Sequence, residues 1–198
     1  MSTGEPAAAA WDHTNCTGTA GCPPRCPRFV DRAGAPLLVR PFQETDRDAL
    51  LEFYDGYPSA HRSMSLPPLG RQLIESWLDR LLERGRHLVA HRDDELVGHV
   101  AYSPRSEPVA ELVVFVDPAY HDRGIGTELC RHAVAHAAAD GHEALQLYVD
   151  RSNERAIHVY ETLGFQAVDD NGEDLLEMRL DLDDGVVAEY QAFPADRN

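Results

Sequence analysis

Gly124 and Gly126 follow closely on an apolar run and a proline, and this arrangement is suited to holding phosphate. Val113 to Val116 is uninterrupted hydrophobic sequence, as in a strand buried on both faces. Asp117-Pro118 ends it, because proline has no amide to continue a ladder. Beyond the glycines, Ile125, Leu129, Ala133 and Ala137 recur at every fourth position, which predicts an amphipathic helix running to about Asp140-Gly141. The first amides of such a helix have no intrahelical partners and carry about half a unit of positive charge. With two side chains missing, a diphosphate can reach those amides without help from a lysine. A lone Gly-x-Gly also serves as an ordinary turn, so its meaning depends on what accompanies it.

A second set of reactive side chains lies near the N-terminus. His13, Cys16, Cys22 and Cys26 are spaced His-x2-Cys-x5-Cys-x3-Cys among Pro23, Pro24 and Pro27. Three thiolates and an imidazole suffice for a tetrahedral zinc site, although the spacing is not that of paired zinc knuckles. Incidental thiols, or a disulfide disfavoured in a reducing cytosol, are the alternatives. Cys130, inside the predicted helix, reads as a small buried hydrophobe.

The elements that must position these groups come from periodicity and breakers. Residues 1–34, rich in Ala, Pro, Gly and Thr, are expected to pack little unless a metal organises them. The domain proper is expected over 35–181, with an acidic tail over 182–198. Leu37 to Arg40 predicts a first strand. Thr45 or Asp46 can cap a helix through Phe53, and Leu73 to Leu82 carries a second helical stripe ended by Gly85. The segment Ser59 to Pro68 lacks a period and reads as a loop able to hold an acceptor. A hairpin, His87 to Arg92 and Leu96 to Tyr102, then leads to the central strand Val109 to Val116. After the glycine-headed helix come a strand, Leu145 to Val149, a helix opened at Asn153 and stopped by Gly164, and a hairpin turning at Asp170-Asn171-Gly172.

Composition bounds the function. A chain of 198 residues supports one domain with modest extensions. Its formal charge is −16, from 34 acidic against 18 basic residues, and every basic residue is arginine. That balance argues against a nucleic-acid partner. It suits a halophilic host, where salt screens self-repulsion, or an acidic protein of high-GC coding. No run approaches the roughly 18 apolar residues of a membrane span, and no cationic-then-apolar leader opens the chain. A cytoplasmic protein with no membrane partner is expected.

From about Leu37 to Leu180 the chain resembles the GNAT superfamily of acetyl-CoA-dependent N-acetyltransferases. The resemblance rests on Val116-Asp117-Pro118 with Arg123-Gly124-Ile125-Gly126, and on Leu147 to Val149 with Asn153, Ala156, Tyr160 and Leu163-Gly164-Phe165. One departure is His121, where glutamine or arginine is usual. The resemblance implies an α/β fold: a mixed, mostly antiparallel sheet with helices on both faces and two splayed central parallel strands. It implies that Val114, Phe115 and Val116 meet the pantetheine arm and that Asp122, Arg123, Gly124, Ile125, Gly126 and Thr127 hold the pyrophosphate of acetyl-CoA. Asn153 would touch the pantetheine or simply cap its helix. Tyr160 would protonate the leaving thiolate, its alternative being an aromatic packed at a strand end.

The acceptor would be an amine, and its proton needs a sink. Glu111 is the only acid within Val109 to Val116, and burial there should raise its pKa and make it the base, its alternative being an acid at the edge of the sheet facing water. A looser similarity, through Ala110-Glu111 and Arg40-Pro41, is to protein-lysine acetyltransferases of the Pat type. Small-molecule amines and protein lysines both remain as acceptors. The competing expectations are a non-catalytic acyl-CoA sensor and a zinc-organised interaction module. Because CoA is a polyanion, Arg123, Arg151 and Arg155 are expected to offset the acid excess locally.

Overall fold

A computed structural model describes residues 14–59, 66–169 and 174–197. His13, most of the loop from Ser59 to Pro68, and the turn at Asp170-Asn171-Gly172 lie outside the described residues. The chain order is β1 (Arg28–Val30), β2 (Pro36–Pro41), α1 (Arg47–Asp55), α2 (Arg71–Arg84), β3 (Arg86–Arg92), β4 (Glu95–Ser103), β5 (Val109–Val116), α3 (Ile125–Ala139), β6 (Ala144–Asp150), α4 (Glu154–Thr162), β7 (Gln166–Asp169), β8 (Leu175–Asp181) and α5 (Asp184–Gln191). The described residues form an eight-stranded sheet in the order β1-β2-β3-β4-β5-β6-β8-β7. All neighbours pair antiparallel except β5 with β6. This is the mixed α/β arrangement expected.

Side-chain alternation along β5 divides the interior into two cores. Ala110 and Leu112 join the larger core with Leu129, Ala133 and Ala137 of α3. Phe115 packs instead against the smaller one, built from Leu50 and Tyr54 of α1 and Ile74 and Leu78 of α2. Trp77 belongs to that core, whereas Leu73 is exposed, so the buried stripe of α2 is narrower than its apolar residues suggest. Gly98 of β4 lets α3 sit close: a Cβ there would stand 2.8 Å from Leu129 Cδ1 and 3.3 Å from the Phe115 carbonyl oxygen.

Asp46 does not cap α1 with its side chain. Its carboxylate takes two hydrogen bonds from Arg40, at 2.6 and 2.7 Å, and one from the Gln43 amide at 2.8 Å. The stronger attraction of the guanidinium ties the start of α1 to β2, and it holds the Asp46 carboxyl below its usual pKa.

Both chain ends depart from expectation. Within 1–34, β1 pairs with β2, and Arg25, 5% exposed, forms a buried ion pair with Glu128 of α3 at 2.7 Å. The 182–198 segment is not a simple tail. Asp183 caps α5 by accepting from the Val186 amide, and Tyr190 enters the larger core with its hydroxyl donating to the Leu163 carbonyl. Arg25 Nη1 donates to the Tyr190 carbonyl at 2.8 Å, so the two ends meet over α3. An apolar helix face and a charge partner at Glu128 supply what the composition of the two segments concealed.

The zinc expectation is not supported. Cys16 and Cys22 are exposed, Cys26 is half-buried, and among the described residues no three His, Cys, Asp or Glu side chains are grouped to hold a metal. Cys22 Sγ instead accepts from the Thr19 amide at 3.3 Å. Cys130 is fully buried, as expected of a small hydrophobe.

Candidate active site

The parallel ladder between β5 and β6 is short. It pairs Val109 with Ala144, Ala110 with Leu145 and Glu111 with Gln146, and goes no further. Beyond that point β5 stays with β4 as far as Gly98 opposite Val116, while β6 stays with β8 to its end. Each strand follows its antiparallel partner, so the two separate. A cleft of about 870 Å³ opens between them, lined by 112–116 on one side and 148–150 on the other. An extended ligand arm can lie there as an added strand would.

The wide end of the cleft meets the start of α3. Asp122 (φ 62°) and Gly124 (φ 83°) adopt left-handed backbone conformations that turn the chain sharply into the helix. The amides of Ile125, Gly126 and Thr127 precede the first intrahelical bond, Glu128 N to the Gly124 carbonyl, and line the cleft. They form the concave set of donors that binds anions. At Gly126 a Cβ would meet only Val116 Cγ2, at 3.5 Å, an ordinary contact. The fold therefore has room for a side chain there. A helical glycine that packing does not require fits a site where a ligand approaches the backbone. By this test the residues present fit the diphosphate of acetyl-CoA.

His121 has a structural task. Its Nδ1 lies 3.3 Å from Arg155 Nη1, which can only donate, so Nδ1 accepts and Nε2 carries the proton given to the Val116 carbonyl at 3.0 Å. Tyr57 donates to the same carbonyl at 3.3 Å. Arg155 also faces Asp122 at 3.3 Å, so α4 and the glycine loop are joined by a polar latch.

Asn153 lines the cleft and caps α4, its Oδ1 accepting from the Ala156 amide at 3.1 Å. One turn and more along α4, Tyr160 lines the same cleft. Desolvation pushes its hydroxyl well above the ordinary value of 10, so it stays protonated. Cys130, also in the lining, has its thiol pushed up to about 12 by complete burial. A thiol so rarely ionised is a poor nucleophile.

Glu111 stands apart from the cleft lining, at the apex where the strands diverge. The residue is exposed, yet its carboxyl is desolvated enough for its pKa to rise. Arg123 is also outside the lining: its guanidinium lies over the Tyr120 ring at 4.8 Å and 3.7 Å from Asp31. Sequence reasoning missed Tyr57 and Arg32, which line the cleft, whereas Leu66 and Tyr148, also in the lining, lie in the expected acceptor loop and in the second motif. Tyr57 was hidden in the breaker-rich stretch after α1, and Arg32 in the segment expected to pack little.

Residues 47–165 match the acetyltransferase (GNAT) family. Among similar proteins, the mycothiol acetyltransferase of Streptomyces scabiei is 38% identical over 135 residues, covering 65% of this chain and 42% of the relative. That of Thermobispora bispora is 34% identical over 108 residues, 52% of this chain and 36% of the relative. The chain thus spans well under half the length of these relatives. In three dimensions it is similar to the GNAT domain of S. lividans PAT, with a TM-score of 0.70 at 22% identity over 78% of this chain and 96% of that one. It is also similar to yncA, a putative acetyltransferase from Salmonella typhimurium solved with its cofactor acetyl-CoA, with a TM-score of 0.61 at 20% identity over 75% and 95%. A sheet opened between β5 and β6, a glycine-headed helix across its mouth and a match over more than half the sequence lead to one assignment: the chain belongs to the acetyltransferase (GNAT) family.

Proposed function

We propose that the protein is an N-acetyltransferase that moves an acetyl group from acetyl-CoA to a primary amine by direct attack. The observation that carries this reading is Gly126, a glycine with space for a side chain, placed among donor amides in a cleft of about 870 Å³ between the parted strands. Acetyl-CoA supplies the activated acetyl thioester. The first amides of α3 hold its diphosphate, and the separated edges of β5 and β6 align the arm so that the thioester faces the apex.

An amine with a pKa near 10.4 is charged at pH 7, and removing its proton costs about 4.6 kcal/mol. Glu111, at that apex with a raised pKa, takes this proton directly or through water. Tyr160 remains protonated and donates toward the departing sulfur. Cys130, kept as the thiol, forms no acyl intermediate. The relatives named mycothiol acetyltransferase support a small-molecule amine as acceptor, in preference to a protein lysine.

A thiol-release assay over a panel of small amines and lysine peptides tests this. Glu111→Gln and Tyr160→Phe should each lower turnover roughly 100-fold with little change in acetyl-CoA affinity. The rate should fall as pH drops through the raised pKa of Glu111. Full turnover in both variants would remove these roles, and acetyl-CoA binding without turnover on any amine would favour the sensor.

A further inference from the structure

A polyanion must enter a protein of charge −16, and two of the arginines expected to offset that charge, Arg123 and Arg155, are committed to other partners. Arg123 stacks on Tyr120 and faces Asp31, and Arg155 is shared between Asp122 and His121. Arg32, Arg131 and Arg155 all line the cleft, but Arg131 faces Glu128 and Arg155 faces Asp122. Arg32 occupies the turn between β1 and β2 and is exposed. Among the described residues its guanidinium forms no ion pair.

The hairpin that presents Arg32 is held firmly. Asp31 Oδ1 accepts from the amides of Ala33 and Ala35, at 2.9 and 2.8 Å, which shapes the turn. The Arg32 amide donates to the Arg123 carbonyl at 3.0 Å and thereby joins the turn to the glycine loop. As a result, Arg32 Nε lies 3.7 Å from the point where a Cβ on Gly124 would sit, and the Phe29 ring lies at the same distance. The guanidinium is therefore beside the first amides of α3.

We propose that Arg32 is a ligand of the acetyl-CoA diphosphate, which it grips from the side opposite α3 with the paired donors of its guanidinium. The inference rests on the acetyl-CoA reading of the cleft. It makes the N-terminal hairpin part of the cosubstrate site, with a positive charge supplied from outside the matched region 47–165.

Calorimetric titration of acetyl-CoA and of its 3′-dephospho form into wild type, Arg32→Ala and Arg32→Lys tests it. Loss of one exposed charge-assisted contact should weaken both ligands about tenfold in Arg32→Ala, with partial recovery in Arg32→Lys and an unchanged unfolding temperature. Turnover of S-acetylpantetheine, which lacks the diphosphate, should be equal in wild type and Arg32→Ala. Equal acetyl-CoA affinity in wild type and Arg32→Ala would overturn the proposal. A loss confined to the 3′-phosphorylated ligand would overturn it too, by moving the contact to the other phosphate. Failure of the wild type to bind acetyl-CoA at all is a distinct result, refuting the cosubstrate reading and this inference with it.

Discussion

Lowering the pH from 7 to 5 should destabilise the fold through the buried imidazole of His87, and its hydrogen bonds set the size of the effect. The Leu81 carbonyl can only accept, so His87 Nε2 carries the proton donated to it at 2.8 Å. His87 Nδ1 must then accept from His99 Nε2, at 3.0 Å, and His99 Nδ1 from the Tyr54 hydroxyl, at 2.5 Å. With both rings neutral, one carbonyl thus settles both tautomers, and a second proton on His87 would have to reverse the direction of the whole chain to Tyr54. Burial, with Arg105 adding repulsion, lowers His87 from 6.5 to about 4. Because the folded-state pKa is depressed, the unfolded chain binds the extra proton first. Stability is complete above pH 6.5 and is lost progressively down to pH 4. Linkage over that interval gives a loss of about 2 kcal/mol between pH 7 and 5, and about 3 kcal/mol by pH 4. With a urea dependence of about 2 kcal/mol per molar, the share of the midpoint shift due to His87 is about 1 M by pH 5. His99, His132 and His136, whose pKa values burial also lowers, contribute with the acidic groups, so the assay is urea unfolding of wild type beside His87→Gln, which shares all of them. The stability gap between the two should shrink by about 2 kcal/mol from pH 7 to pH 5. An unchanged gap would refute the neutral buried imidazole.

Two further outcomes are expected. Gly126→Ala should raise thermal stability slightly, by up to about 1 kcal/mol of helix propensity, because its Cβ meets only Val116 Cγ2. The same change should weaken acetyl-CoA binding in calorimetry about tenfold, and opposite signs in one variant separate ligand space from packing. Arg25→Ala leaves Glu128 buried without its main partner. Denaturant unfolding should show a loss of about 3 kcal/mol, whereas a loss under 1 kcal/mol would return 14–27 to the role of a loose extension.

Much of the fold was legible because its signals are local. Val109 to Val116 ends at proline, α3 repeats every four residues behind two glycines, and Asn153 and Gly164 bracket α4, so breakers and periods marked the elements. Composition misled at both ends, Ala-, Pro-, Gly- and Thr-rich at the first and acidic at the second, because it reports an average and not the single residues that dock. Arg25 binds its segment to α3 through a contact 103 positions away in sequence, and Tyr190 binds its segment to the end of α4 through one 27 positions away. The cysteines carried suitable chemistry, but no sequence rule brings Cys16, Cys22 and Cys26 together.

What the sequence by itself determined was the glycine-bearing start of α3, since two missing side chains at a helix start act over a few bonds. Only the tertiary structure decided the rest: where β5 parts from β6, which leaves Glu111 at the apex, and which arginines line the cleft. Those outcomes depend on each strand keeping its antiparallel neighbour and on a hairpin from the N-terminal segment docking against the glycine loop. Such contacts join residues far apart in the chain, and their geometry exists only once the sheet is assembled.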